Sequence, residues 1–213
     1  MLELSADEVI TSEAELRARF KAPSELSLRK QLDHLDHNCR RFIELSPFLC
    51  LATSRNDGMA DNSPRGDVPG FVEVLDERTL LIPDRPGNNR LDSLANIVHH
   101  PQVGLLFFIP GVTEMLRVNG RAKLVTKPEI LELFTVNNRA PAVVILVEIQ
   151  EVFLHCSKAL IRSRLWQEDA KVDRKVLPSL GRMIAEVIDR EPAAATVAEY
   201  DARIEQGNKE RLY

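Results

Sequence analysis

No apolar stretch in this chain of 213 residues is long enough to cross a bilayer as a helix. The longest runs, residues 103–109 and 142–147, fall well short of the ~20 residues such a span requires, so no membrane partner is expected. Cysteine is scarce: Cys39, Cys50 and Cys156 lie far apart, are odd in number and form neither C-x-x-C nor a zinc-like pairing. That usage fits reduced thiols and a cytoplasmic location. Residues 1–8 lack the basic start and apolar centre of a secretory signal, so export is not expected either. No block of lysine and arginine occurs, and a formal charge of −4 offers no global attraction for a polyphosphate backbone, which makes nucleic acid an unexpected partner. Gly-x-Gly-x-x-Gly, Gly-x-x-x-x-Gly-Lys-[Ser/Thr] and Gly-x-Ser-x-Gly are all absent. The usual signs of a Rossmann dinucleotide site, a P-loop or a nucleophile elbow are therefore missing. There is no internal repeat and no low-complexity tract.

What is present describes an ordinary globular chain, 44% hydrophobic and 28% charged, long enough to bury one sizeable core. Residues 1–46 read as a helical N-terminal arm. Ser12-x-x-Glu15 has capping-box form, and Leu28, Leu32, Leu35, Phe42 and Ile43 recur at helical spacing until Ser46-Pro47. From Phe48 the texture changes to short apolar runs divided by turns. Residues 48–53 and 59–63 flank the hairpin turn Asn56-Asp57-Gly58, and residues 72–75 and 79–82 flank a second one.

A loop over 83–89 then leads into a helix carrying Leu91, Leu94, Ala95 and Val98, with Asn88 or Asn89 as its N-cap and Pro101 at its end. Residues 103–109 and the alternating stretch 116–124 predict two long antiparallel strands. Thr126-x-x-Glu129 caps a short helix, and residues 143–154 form another long strand. Beyond Ser157 the pattern is helical, most clearly at Leu177, Leu180, Met183, Ile184, Val187 and Ile188. Hairpin-connected strands with few helices argue against alternating βαβ units. The expected fold is α+β, an antiparallel β-barrel over 47–166 with peripheral helices and a helical extension over 167–213.

The stretch richest in chemistry joins Asn62-Ser63-Pro64-Arg65-Gly66-Asp67 to Pro83-Asp84-Arg85-Pro86-Gly87-Asn88-Asn89-Arg90. Guanidinium forks, small residues and a helix start are what a phosphate group needs, so a phosphorylated ligand is one reading. The other is a plain turn with solvated arginines.

The order of pieces from Phe48 to Trp166 resembles the pyridoxamine 5′-phosphate oxidase-like family of FMN-binding split β-barrels. It runs through Ser63-Pro64-Arg65, a polar loop before a helix, Leu105-Leu106-Phe107-Phe108, Leu116-Arg117-Val118-Asn119-Gly120-Arg121-Ala122 and His155-Cys156-x-Lys158-Ala159-Leu160-x-Arg162-Ser163-x-Leu165-Trp166. The resemblance implies a homodimer with FMN in the groove between subunits. It assigns the phosphate to Arg65 and to Arg85, Asn88, Asn89 and Arg90. It also sets Glu114-Met115-Leu116-Arg117 on the strand with which the family presents a glutamine to the flavin, and Arg164 and Trp166 where the oxidases present an arginine and a tryptophan, with Arg117 or Arg164 as positive charge near the N1–O2 edge of the reduced ring. The glutamine is replaced by Met115, which packs but offers no amide hydrogen bonds. No Arg-x-His pair for a substrate phosphate follows Trp166, so oxidation of pyridoxamine phosphate itself is not expected.

The resulting expectation is an FMN-dependent oxidoreductase acting on a small molecule, in which the cofactor carries the chemistry. Two alternatives stand beside it, a non-catalytic flavin-binding, storage or sensing module, and a barrel that holds haem or a deazaflavin. His34-x-x-His37-x-Cys39 has metal-capable atoms but poorly converging spacing, and a packing role is expected for it. His99-His100 reads as a helix end complementing the dipole. Trp166, the single tryptophan, also suits a dimer-interface anchor.

Overall fold

The computed structural model describes residues 2–5, 8–210 and 212–213. Short alternating segments pair into one antiparallel sheet. Its strands are β1 (Gln31–Leu32), β2 (Phe48–Ser54), β3 (Ala60–Gly66), β4 (Glu73–Asp76), β5 (Thr79–Pro83), β6 (Gln102–Phe108), β7 (Met115–Val125) and β8 (Val144–His155). The order across the sheet is β3-β2-β6-β7-β8-β5-β4, with β1 added beside β8. Side chains alternate as a pleat requires: Leu49, Leu51 and Thr53 of β2 and Val103, Leu105 and Phe107 of β6 point inward. They share one core with Leu80, Ile82, Leu116, Val118, Ile145 and Val147, so the sheet wraps around its own apolar side. Because β3 and β4 end the hydrogen-bonded path without pairing to each other, the barrel is split along that seam.

Curvature is built into the longest pairing. Asn119 faces Glu151 whereas Gly120 faces Ile149, so Gln150 is an extra residue that forms a bulge. A Cβ on Gly120 would lie 2.3 Å from the Glu148 carbonyl oxygen, closer than any side chain tolerates. Glycine is required there by the approach of the neighbouring strand.

The helices differ from expectation in four places. The N-terminal arm is not one helix but α1 (Glu13–Ala18), α2 (Glu25–Arg29) and α3 (His37–Leu45), interrupted by β1. Leu28 is exposed, and Asp36 restarts the helix by accepting the Cys39 N–H, so Leu32, Leu35, Cys39, Phe42 and Ile43 reach the core from separate elements. Ser12 does accept the Glu15 N–H, while the Glu15 carboxylate accepts from Thr11 N–H, one residue earlier than a capping box. The helix before Pro101 is α4 (Asp92–His99), and its N-cap is Leu91 in a left-handed conformation rather than Asn88 or Asn89. The short helix after β7 is α5 (Pro128–Glu132), capped by Lys127 without a side-chain bond, because Pro128 takes the first helical position.

Beyond β8, α6 (Lys158–Ser163) precedes α7 (Leu180–Ile188) and α8 (Ala194–Glu210), and Leu177 lies ahead of α7 rather than within it. The last two helices pack together where Gly181 N–H donates to Asp201. No helix among the described residues is long and apolar enough to cross a membrane.

Gly120→Ala should cost about 1–3 kcal/mol of stability, the usual penalty of overpacking against fixed backbone. Urea unfolding measures it, and an unchanged midpoint would show that the β7–β8 bulge absorbs the methyl.

Candidate functional site

The seam of the barrel brings two separate stretches face to face. On β3 the residues of one side, Asp61, Ser63 and Arg65, are half-buried, and Asp67 continues the alternation just past the strand. On the other side β5 ends at Pro83 and the chain turns through Asp84 and Arg85 towards α4. Arg65 Nη1 donates to Asp84 Oδ1, and Arg85 Nε donates to Asp67 Oδ2 at 2.7 Å. Arg85 Nη1 also donates to the Phe134 carbonyl at 2.7 Å, which fixes the guanidinium plane.

The Asp67 side chain is only 2% exposed and needs partners for its charge. Burial by itself pushes its carboxyl up, but hydrogen bonds from the Tyr213 hydroxyl, Val68 N–H and Arg85 outweigh this and hold it below the usual carboxylate value.

A cleft of about 820 Å³ opens along the seam. Arg65, Arg85, Asn88, Asn89 and Arg90 all line it, so the residues singled out for phosphate are brought together. The first turn of α4 also lines it. Asn89 and Leu91 both have positive φ, 57° and 59°, and no side chain caps the helix. A leucine in that region costs roughly 1–2 kcal/mol, and the first amides of the helix have no side-chain cap.

Behind the helix, Asn96 Nδ2 donates to Thr53 Oγ1, while Thr53 and Ser93 hydroxyls donate to Asp61 Oδ2, a largely buried network that pins α4 to β2 and β3. Asn88 Oδ1 accepts the Arg90 N–H and shapes the loop. Arg90 pairs with Asp92 in the open, its side chain 72% exposed. Arg65, by contrast, keeps a buried Nε without any hydrogen-bond partner.

Sequence reasoning missed Arg139, which also lines the cleft and whose Nη1 donates to the Tyr213 main-chain oxygen at 3.1 Å. Asn137 and Asn138, both with positive φ, make the tight turn whose Val136–Arg139 bridge presents it. The Asn-Asn dipeptide was a visible turn signal, but nothing local pointed that turn at the cleft.

Met115, Arg117, Arg164 and Trp166 lie outside the cleft. Met115 is buried, 7% exposed, opposite His155 at the start of β7. Arg117 pairs with Glu151 at 2.6 Å and lies over the Phe153 ring. Beside it the His155 ring is held below its ordinary pKa, first by burial and then by Arg117 and Lys30. Arg164, itself in a left-handed conformation at the end of α6, pairs with Asp169, and the Trp166 indole N–H donates to the Val112 carbonyl at 2.8 Å. His34 pairs with Asp33, and the buried Cys39 thiol is pushed up to about 12 by burial and by Asp36.

Two stability tests follow from the seam. Asp84→Ala leaves the Arg65 charge without its partner and should cost about 2 kcal/mol, less than for a fully buried pair, with much of it recovered when Arg65 is also changed to Leu. Chemical denaturation of both variants decides this, and equal stability of Asp84→Ala and the parent would contradict it. The depressed Asp67 carboxyl contributes stability above its unfolded pKa of about 4, which is lost as pH falls through the folded value. Asp67→Asn should therefore flatten the acid limb of the stability profile, and superimposable acid limbs would refute the assignment.

The family model for pyridoxamine 5′-phosphate oxidase matches residues 35–156. Among solved structures the chain is similar to HupZ from Group A Streptococcus, with 14% identity over 56% of this chain and 93% of that one and a TM-score of 0.47. It is also similar to a candidate pyridoxamine 5′-phosphate oxidase from Lactobacillus delbrueckii, with 22% identity over 58% and 98% and a TM-score of 0.46. An FMN-binding protein from Syntrophomonas wolfei is another, with 11% identity over 55% and 88% and a TM-score of 0.41. No curated protein matches the sequence. The family match runs through β2 to β8 and so takes in the strands on both sides of the seam, and the chain belongs to the pyridoxamine 5′-phosphate oxidase family of flavin-binding split barrels.

Proposed function

We propose that the seam cleft binds FMN by its phosphate and that the protein is an FMN-dependent oxidoreductase for a small molecule. The carrying observation is the orphaned Arg65 Nε at a cleft that also holds the uncapped start of α4. A buried guanidinium donor without a partner is costly, and an anion at this place would satisfy it. Arg65 and Arg85 are already held by carboxylates, so their part is to fix the floor of the cleft, with Arg65 keeping one donor to spare. Arg90 is the guanidinium most easily released, because an exposed pair such as Arg90–Asp92 is worth only about 0–1 kcal/mol. Asn88 and Asn89 set the loop, and Arg139 adds a further guanidinium at the cleft. FMN supplies hydride or electron transfer when bound, and these side chains anchor and orient it.

The homodimer belongs to the same reading. By register, Phe48 and Phe108 stand side by side on the outer face of the sheet, as do Cys50 and Leu106, all only partly covered. This face runs on to Arg117 and Phe153, and it is the surface on which a second copy would pack. A non-catalytic flavin module is the second reading, favoured by Met115, whose buried thioether offers no donor to a flavin ring.

Denaturing release of the cofactor followed by mass measurement identifies the ligand, and the absorption spectrum separates FMN from haem or a deazaflavin. Reduction by NADH or NADPH with turnover favours the enzyme, whereas a yellow protein inert to both favours storage or sensing. Arg90→Ala should weaken FMN at least about fivefold, more than 1 kcal/mol, while leaving riboflavin and the His34→Ala control unchanged. Equal FMN dissociation constants for the parent and Arg90→Ala would remove the phosphate assignment.

A further inference from the structure

Tyr213 lies at the seam, where it lines the cleft. Its hydroxyl donates to Asp67 Oδ1 at 2.6 Å, its ring lies 5.5 Å from the Arg85 guanidinium, and its backbone oxygen accepts from Arg139 Nη1 at 3.1 Å. The two guanidinium groups are ones that an anionic ligand in the cleft would use. Asp67 keeps partners when the tyrosine leaves: Oδ1 also accepts from Val68 N–H at 2.8 Å and Oδ2 from Arg85. Withdrawal of the hydroxyl therefore leaves no unpaired buried charge. The ring is only half-buried and is not part of the apolar core. The helix that leads to it, α8, packs chiefly against α7 rather than on the sheet.

We propose that Tyr213 is a displaceable plug of the cleft, which covers the face of Arg85 and the donor of Arg139 and leaves when a ligand bearing a monophosphate enters. The plug rests on the reading of the cleft as a phosphate site. It makes ligand entry and tail release opposite sides of one equilibrium: whatever holds the tail down weakens the ligand, and the ligand frees the tail. A residue that merely walls the site would behave in the opposite way, since its loss would weaken binding.

FMN titration of the parent, Tyr213→Ala and Tyr213→Phe, together with hydrogen exchange of residues 194–210 in the parent, tests this. Tyr213→Ala should bind FMN about tenfold more tightly, within the range of one hydrogen bond to a charged group, and Tyr213→Phe should fall between. Saturating FMN should also speed exchange in α8 of the parent. Equal or weaker binding by Tyr213→Ala, or unchanged α8 exchange in a parent saturated with FMN, overturns the plug and leaves the phosphate cleft standing. Failure of FMN to bind either the parent or Tyr213→Ala overturns the cleft reading and the plug together.

Discussion

A barrel that does not close by hydrogen bonds must hold its open side by other means, and here two guanidinium–carboxylate pairs do so. Arg65 on β3 reaches Asp84 beyond β5, and Arg85 reaches back to Asp67 beyond β3. The two pairs cross the seam in opposite senses, so neither side can slide without breaking one of them. Their low exposure matters because charges at such a place must stay paired, and pairing demands one geometry. The position of the cleft, the path of the loop into α4 and the approach of Arg139 all depend on that clasp.

The rest of the frame keeps the clasp in register. The bulge at Gly120 bends β7 and β8 so that β5 can return towards β3, and only a residue without a side chain allows the Glu148 carbonyl to come so near. On the other flank the Thr53–Asp61–Ser93–Asn96 network ties α4 to the strands beneath it. A helix held this way keeps its first turn at the cleft even though Leu91 enters it in a strained conformation. Such strain persists only where the surroundings over-determine it, and here it falls on a residue that lines the cleft.

The charge of the cleft is more balanced than a count of its arginines suggests. Arg65, Arg85 and Arg90 each face an aspartate, which divides the roles among them. The two half-buried pairs are architecture, while the exposed Arg90–Asp92 pair and Arg139, which donates to the Tyr213 main-chain oxygen, are the adaptable part. The remaining family positions, Met115, Arg117, Arg164 and Trp166, lie apart from this cleft on the single chain, each with its own neighbours.

Much of the architecture was written in short-range pattern. The alternation of Leu116 and Val118 with Arg117 and Asn119, the Asn56-Asp57-Gly58 turn and the loop before α4 are local properties of the chain, and the strands and hairpins formed where they pointed. The gathering of Arg65 with Arg85, Asn88, Asn89 and Arg90 was legible through the order of these pieces. Three features were not: the break of the N-terminal arm by β1, the aspartates that hold Arg65 and Arg85, and the arrival of Arg139 and Tyr213 from far along the chain. Local sequence determines which way a backbone turns and which face it buries. Which charge meets which across a seam depends on how far the whole sheet has curled, and that only the assembled barrel decides.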